Sequence, residues 1–452
     1  MKDRTASIRV ASELSSEGSY DLIGVGAGPS NLSLAALLHA EAGVRMRFFE
    51  RQPTYSWHQG LLIQGAALQI SYLKDLVTPI DPTNPYSFLN YLKRCGRFYN
   101  FLNATGEKAL RHEFSAYLRW AAESLPAVQQ GVEVHRIRFN GNFIVETSCG
   151  TKASKCLSIA IGARPFMPDF ARARRGARVF HSSEFLNRQA EVGKPEDGET
   201  VAVIGGGQSG AEVLLALLHQ AQPPANIVWV TRRSGFPPLD ETPFSNEMFG
   251  PHYSNHFYSL PETRRMEELR EHKFVSDGIS TETLRLLYQK LYLNRYFSPH
   301  PVKISIYSAS SATSIDELGH ENLRLGLERH DIHDRVCLDC SRIIFCTGYS
   351  TSLPEVVADL LRGTHGNDCY TVLSDYSLEW DGPQQNKIFL MNAATRARGI
   401  ADPNLSLIAW RSAVVANSFL GRPVYDLSCD PPFRDFPGLI DSTLNIRMTA
   451  GG

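Results

Sequence analysis

Tyr20-Asp-Leu-Ile-Gly-Val-Gly-Ala-Gly-Pro-Ser-Asn31 decides the fold. Its first half is a short apolar strand, glycines follow, and Leu32 to His39 reads as a helix. Strand, glycine turn and helix open a βαβ nucleotide-binding unit. A second strand, Met46-Arg-Phe-Phe-Glu50, follows at the expected distance. The same grammar returns at Val201-Ala-Val-Ile204, where Gly205-Gly-Gly-Gln-Ser-Gly210 opens a helix from Ala211 to His219. The next strand, Ile227-Val-Trp-Val-Thr231, ends in Arg232 and Arg233. Two such units predict two bound nucleotides.

Gly205, Gly207 and Gly210 match the full fingerprint: one glycine for the turn, one for approach to a pyrophosphate, one for helix–strand packing. The helix N-terminus adds free N–H groups and a positive dipole end. Arg232 and Arg233 stand where a cation accommodates a ribose 2′-phosphate, which predicts NADPH. In the first unit Gly24 and Gly26 are present, but Pro29 occupies the third glycine position. Proline costs little in a first helical turn, where its missing N–H would be unpaired anyway. Glu50 ends the next strand, placed for a ribose hydroxyl, which suits FAD.

Ser158-Ile-Ala-Ile-Gly162 and Ile343-Ile-Phe-Cys-Thr-Gly-Tyr349 are further strands closing on glycine, read as returning the chain to the first domain. The expected architecture is α/β, with two Rossmann-like domains for FAD and NADPH. The second is inserted into the first, with a small helical substrate region. The expected boundaries are a polar lead at 1–19, a first FAD-binding segment at 20–190, and the NADPH domain at 191–330, with a pocket segment near 235–300. The remainder of the FAD-binding domain and a C-terminal substrate segment fill 331–452. Glu191–Thr200 and Val302–Asn322 are the expected junctions.

The 452 residues suit two or three domains. With 46 Lys plus Arg against 47 Asp plus Glu, the net charge of -1 argues against broad capture of nucleic acid. The longest apolar candidate, Leu32 to Leu38, is far short of the ~20 residues of a membrane span. The first twenty residues lack a secretory core. Eight cysteines form no disulfide framework, which fits a reducing cytoplasm. Cys337-Leu-Asp-Cys340 has no second pair, the histidines make no ligand pattern, and no metal is expected. No G-x-S-x-G elbow appears, against a hydrolase.

Tyr55-Ser-Trp-His58 follows the first unit and could border a flavin ring, or be a loop with Trp57 in the core. Lys74, among apolar neighbours, is either a carboxylate anchor or a structural partner of Asp75 or another acid. Asp240-Glu-Thr-Pro-Phe-Ser-Asn-Glu247 reads as a polar cleft lining or a plain loop.

Taken together the segments resemble the flavin-dependent N-hydroxylating monooxygenases, in particular the lysine N6-hydroxylase and diamine N-hydroxylase branch of siderophore biosynthesis. The likeness spans about Tyr20 to Leu427. It rests on the Gly24–Asn31 stretch, Trp57-His58, Leu73-Lys-Asp-Leu-Val77, Asn84-Pro-Tyr-Ser-Phe88 and the Glu113–Trp120 stretch. Gly205–Gly210, Ser276-Asp-Gly-Ile279, Cys346-Thr-Gly-Tyr349 and the Leu405–Ser412 stretch complete it. The Pro29 and Asn31 pair is characteristic of that family.

The resemblance implies that NADPH reduces FAD, that O2 forms a C4a-hydroperoxyflavin, and that an oxygen passes to a neutral terminal amine of lysine or a cadaverine- or putrescine-type diamine. It implies no side chain acting as acid or base. It places Trp57, His58 and Gln69 beside the flavin, with Gly24, Gly26, Gly28, Pro29, Asn31 and Glu50 in its cradle. Gly205, Gly207, Gln208, Ser209, Gly210, Arg232 and Arg233 fall on NADPH, and Lys74, Asn246 and Ser406 on substrate. It also implies a homodimer or homotetramer. Arg398 stands where relatives commonly carry histidine. Asn246 matches ornithine enzymes, so ornithine N5-hydroxylation is the alternative. A flavin monooxygenase acting on carbon or sulfur comes after it, weakened by a missing phenylalanine–glycine spacing around Phe180-His-Ser182. From another class, a nucleotide-binding electron carrier would be expected to show a degraded glycine turn.

Overall fold

The computed structural model describes residues 19–192, 198–319, 322–350, 355–361, 370–434 and 436. The expected polar lead, Ser19 apart, lies outside these residues, as do 193–197 of the first expected junction and 320–321 of the second.

The chain opens with β1 (Ser19–Val25), then helix α1 (Pro29–Leu38) and β2 (Met46–Glu50). Pro29 sits in the first helical turn, with Gly28 as an extended N-cap. From Ser30 to Leu38 every residue of α1 is buried, so this helix is core on all sides. Helix α2 (Arg111–Ser124) packs beside it, followed by β3 (Val128–Gln130), β4 (Val134–Asn140), β5 (Asn142–Thr147) and the long β6 (Gly150–Ile159). The first sheet runs β3-β2-β1-β6-β5-β4. Its β3-β2-β1-β6 half is parallel and its β4-β5-β6 edge antiparallel.

The second sheet is built from β7 (Val179–His181), β8 (Thr200–Ile204), β9 (Asn226–Val230) and β10 (Lys303–Tyr307). Helix α3 (Gln208–Leu218) follows β8, and α4 (Thr281–Phe297) precedes β10. A ribbon of β11 (Ser310–Leu318), β12 (Asn322–Arg329) and β13 (Asp334–Cys340) covers one face, and β14 (Arg342–Phe345) then inserts between β8 and β7. Every pairing in this second sheet is parallel. Val201 and Val203 join the apolar layer under α3, while Ala202 and Ile204 join the layer under the ribbon. This is strand alternation between two covered faces.

Finally β15 (Ile388–Leu390) pairs parallel with β6, and helix α5 (Ile408–Leu420) packs on α1. The first sheet therefore receives strands from both sides of the second, as the expected insertion requires. One detail differs. Val179–His181 and Arg342–Phe345, expected within the first domain, are strands of the second sheet. Each is a buried apolar run, and such a run does not declare its sheet; only the pairing partner does.

Asn31 shows why the first turn holds without its third glycine. Its amide donates to the Gly26 carbonyl at 2.7 Å and the Ser158 carbonyl at 3.2 Å, while Oδ1 accepts the Ser158 hydroxyl at 2.6 Å. The residue is fully buried, so this amide ties turn, helix and neighbouring strand together. Asn31→Ala would leave buried partners unsatisfied, an expected loss of about 1–3 kcal/mol. A denaturant melt of the variant checks it; unchanged stability would show the clasp to be dispensable.

Candidate active site

A cavity of about 720 Å³ opens at the carboxyl ends of β1 and β2. Gly26, Gly28, Pro29 and Ser30 form its floor, and Glu50, Tyr55, Trp57, His58, Tyr349 and Asn392 stand among its walls. In doubly wound sheets this is where ligands bind. Gly26 has φ +80, and a Cβ there would lie 2.5 Å from the Ala160 carbonyl oxygen. Only glycine satisfies both conditions. Gly28 is open, and no side chain caps α1, so its first N–H groups face the cavity. Glu50 holds its carboxylate between two backbone donors, Ala27 N–H at 3.0 Å and Gln52 N–H at 2.9 Å. The buried Tyr55 hydroxyl of the wall has no hydrogen-bond partner among the described residues; neither has the Gln69 amide nitrogen, but Gln69 does not line the cavity. An open helix end, a fixed carboxylate and an orphaned hydroxyl fit an FAD cradle.

The second cradle repeats the design. Gly205 has φ +137, and a Cβ there would meet the Cys346 carbonyl oxygen at 2.1 Å. Gly207 caps α3 with open space where a Cβ would lie, and Gly210 lies against Gly205. Arg232 is exposed and has no ion pair among the described residues. Arg233 lies over the Phe274 ring and donates to the Asp277 carbonyl at 3.1 Å, inside the Ser276-Asp-Gly-Ile279 motif. An uncapped helix end flanked by a free arginine fits NADPH. Three residues beyond Cys346, Tyr349 lines the first cavity and meets His181 edge-on at 5.2 Å. One short segment thus touches both cradles.

Not every expected residue points into a cradle. Gly24 is a packing glycine, since a Cβ there would strike the Phe48 ring at 2.1 Å. Asn31 is the internal clasp. Gln208 is engaged by protein: Nε2 donates to Glu212 at 2.9 Å and Thr283 at 3.0 Å, and Oε1 accepts Ser280 N–H at 2.9 Å. Ser209 is half-buried in the first turn of α3. Arg398 is buried between the rings of Tyr258 and Tyr376, 4.3 and 4.4 Å from their centroids, and donates to Asn255 at 3.1 Å. Its site is a structural sandwich outside the cavity walls.

Lys74, Asn246 and Ser406 do not line the cavity, though Leu405 does. Asp75 does not pair with Lys74; it is buried and accepts backbone N–H groups from Val77, Thr78 and Phe88. Lys74 is half-buried with no ion pair among the described residues, and desolvation lowers its pKa. Asn246 is exposed on a short helix, Pro243–Asn246. Its segment is tied to the Lys74 side of the molecule by Lys108, whose ammonium meets Glu241 at 2.6 Å. Ser406 is buried and donates to Asn404 Oδ1 at 2.7 Å. The Arg111–Glu212 pair escaped the sequence reading, because two charges 101 residues apart leave no local signal.

Cys337 and Cys340 lie three apart on β13, so their side chains leave opposite faces. Cys337 is exposed and Cys340 buried, its thiol pushed up to about 12 by burial. They cannot share a metal. The seven described cysteines are free, and the eighth, Cys369, lies outside the described residues. Among the described residues no cluster suited to a metal and no helix able to cross a membrane is found.

Two nucleotide cradles, one on each sheet, with the second sheet inserted into the first, define a two-nucleotide flavoprotein. Residues 18–351 match the L-lysine 6-monooxygenase/L-ornithine 5-monooxygenase family. The chain is 39% identical to the L-lysine N6-monooxygenase of Escherichia coli, over 91% of this chain and 97% of that one. It is similar to the FAD-bound cadaverine monooxygenase of Erwinia amylovora, with TM-score 0.84 and 28% identity over 92% and 98% of the two chains. It also matches an ornithine N-hydroxylase of Kutzneria sp. 744, a structure with reduced FAD, NADP+ and L-ornithine, at TM-score 0.81 and 28% identity over 89% and 99%. The chain belongs to this family: it is a flavin-dependent N-monooxygenase that uses FAD and NADPH.

His181 gives a pH signature. It is buried, Nδ1 accepts Ser183 N–H at 3.1 Å, and Nε2 donates to the Gly348 carbonyl at 3.0 Å. A proton on Nδ1 would face a donor. Burial pushes its pKa down to about 4, against a smaller opposing effect of the Gly348 carbonyl. The unfolded chain, with an ordinary histidine near ~6.5, then binds more protons between these values. Stability is expected in full above about pH 6.5 and to fall toward pH 4, by on the order of 3 kcal/mol from this residue. Urea melts across that window check it, with His181→Gln expected to flatten the acid limb.

Proposed function

We propose that this enzyme hydroxylates the terminal primary amine of L-lysine or a related diamine, at the expense of NADPH and O2, for hydroxamate siderophore assembly. The observation that carries the reading is the 39% identity to a lysine N6-monooxygenase over 91% of this chain, joined to a half-buried Lys74 with no ion pair among the described residues. FAD, when bound and reduced by NADPH, supplies the activated oxygen.

The chain's own residues bind, orient and exclude water. The N-terminus of α1 and the Glu50 carboxylate hold the adenosine half of the flavin. Trp57, His58 and Gln69 border its ring. Gly205, Gly207, Gly210 and Ser209 receive NADPH, with Arg232 and Arg233 toward the 2′-phosphate. The side chain of Gln208 shapes the helix start rather than the ligand. His58 is an exposed residue of the cavity wall, and desolvation, then the charge of Arg111, lower its pKa from the ordinary value. Lysine-like amines carry a pKa near ~10.4, and exclusion of water once the cofactors and amine fill the site would favour the neutral form that can attack. Lys74 takes a substrate carboxylate, with Asn246 and Ser406 completing the site. The enzyme works in the cytoplasm, in keeping with its free cysteines.

The chain also assembles with itself. Helix α4 buries Leu287 on one side yet exposes Tyr288, Tyr292, Tyr296 and Phe297. An exposed row of aromatic side chains on a helix marks a contact surface. Tyr292→Glu is expected to lower the mass seen by analytical ultracentrifugation; an unchanged mass would place the contact elsewhere.

Lys74→Ala separates the substrates. Losing one charge-assisted contact raises KM for lysine on the order of 10–100-fold. Cadaverine, with no carboxylate, is turned over as before, and flavin content stays. Equal losses for both amines would refute the carboxylate role. Hydroxylated product from lysine, ornithine, cadaverine and putrescine, not NADPH consumption alone, decides the proposal.

A further inference from the structure

The two cradles meet along a seam. Leu61, Ile63 and Ala66, from the flavin-side chain, sit in one apolar cluster with Phe180, Phe185, Val213 and Leu214. Inside that seam lies a charged pair. Arg111, first residue of α2, donates through Nη1 to Glu212 Oε2 at 2.9 Å and through Nη2 to Glu212 Oε1 at 2.6 Å. Nη1 also reaches the Leu61 carbonyl at 3.2 Å. Glu212 is one turn into α3, the helix whose N-terminus receives NADPH. The side chains are only 14% and 6% exposed.

The network continues on both sides. Glu212 Oε1 takes Gln208 Nε2, and Gln208 takes Ser280 N–H at the start of α4. Toward the cavity, the charge of Arg111 bears on His58 and Tyr349, both wall residues. Apolar side chains would close such a seam at no desolvation cost, and a buried ion pair is poor evidence of stability alone. What a bidentate fork adds is a fixed angle between the groups it joins.

We propose that Arg111, acting through Glu212, is a positioning residue that sets how the NADPH helix faces the flavin cavity, and that hydride delivery depends on this fork. The inference rests on the FAD and NADPH assignment above. In the step concerned NADPH gives up a hydride, two electrons with one proton, and becomes NADP+; the flavin accepts the hydride and is reduced. The later oxygen transfer to the amine moves no hydride, so the proposed effect of the fork falls on the reduction step.

The test uses holoenzyme carrying Glu212→Gln or Arg111→Lys. Arg111→Lys keeps the charge and loses the fork, and it is the milder variant should Glu212→Gln fold poorly. Anaerobic stopped-flow reduction of the flavin by NADPH is expected to slow on the order of 10–100-fold, the size of a small misplacement of reacting groups. Enzyme reduced instead by dithionite, then mixed with O2 and lysine or cadaverine, is expected to give the wild-type yield of hydroxylated amine. Hydrogen exchange in residues 209–218 and 59–66, followed without nucleotide added, is expected to quicken in both variants. Wild-type reduction rates in both variants would overturn the proposal. So would a dithionite-primed yield that falls in step with NADPH reduction. If wild-type enzyme hydroxylates no amine, the functional reading fails, while the reduction and exchange measurements still judge the fork.

Discussion

Two places where a backbone comes too close for any side chain organise this molecule. At Gly26 the intruding neighbour is the carbonyl of Ala160, and at Gly205 it is the carbonyl of Cys346. Each neighbour is the exit of a parallel strand, β6 in one sheet and β14 in the other. The strand exit presses on the glycine turn, the turn aims the helix, and the helix end is left bare for a phosphate. Both cradles depend on contact between segments more than a hundred residues apart.

The two strand exits also bring the cradles close together. Past Cys346 the chain carries Tyr349 into the flavin-side cavity, against His58 and His181. Near the same residues Arg111 reaches across to Glu212. The second sheet is therefore held to the first by an apolar seam, an aromatic line and one buried ion pair. An enzyme that must pass electrons from one nucleotide to another needs such a fixed approach, since transfer is steeply sensitive to geometry.

Much of this is legible in residues alone. The Gly205–Gly210 turn announces itself because it lies between an apolar strand and a helix, and Glu50 and the paired arginines sit at a spacing set by strand length. Asn31 is legible as a motif, but its work is not. The letter suggests a ligand contact, whereas the amide is spent on Gly26 and Ser158. Gln208 departs in the same way, because a side chain at a helix start can turn toward ligand or toward protein, and its partners on Ser280 and Thr283 come from far along the chain. Arg398 does not line the flavin-side cavity, because two tyrosine faces and Asn255 hold it.

The order of residues by itself determined that this chain makes two nucleotide-binding units, one split around the other, and which family's chemistry they serve. Those are properties of local runs: apolar strands, glycine turns and helix starts, each readable within about ten residues. Tertiary structure alone decided which sheet claims Val179–His181 and Arg342–Phe345, which motif residues face a ligand, and how Arg111 finds Glu212. The reason is physical: a strand's partner, a buried charge's counterion and a side chain's direction are settled by contacts between distant segments, and a one-dimensional pattern carries no distance between them.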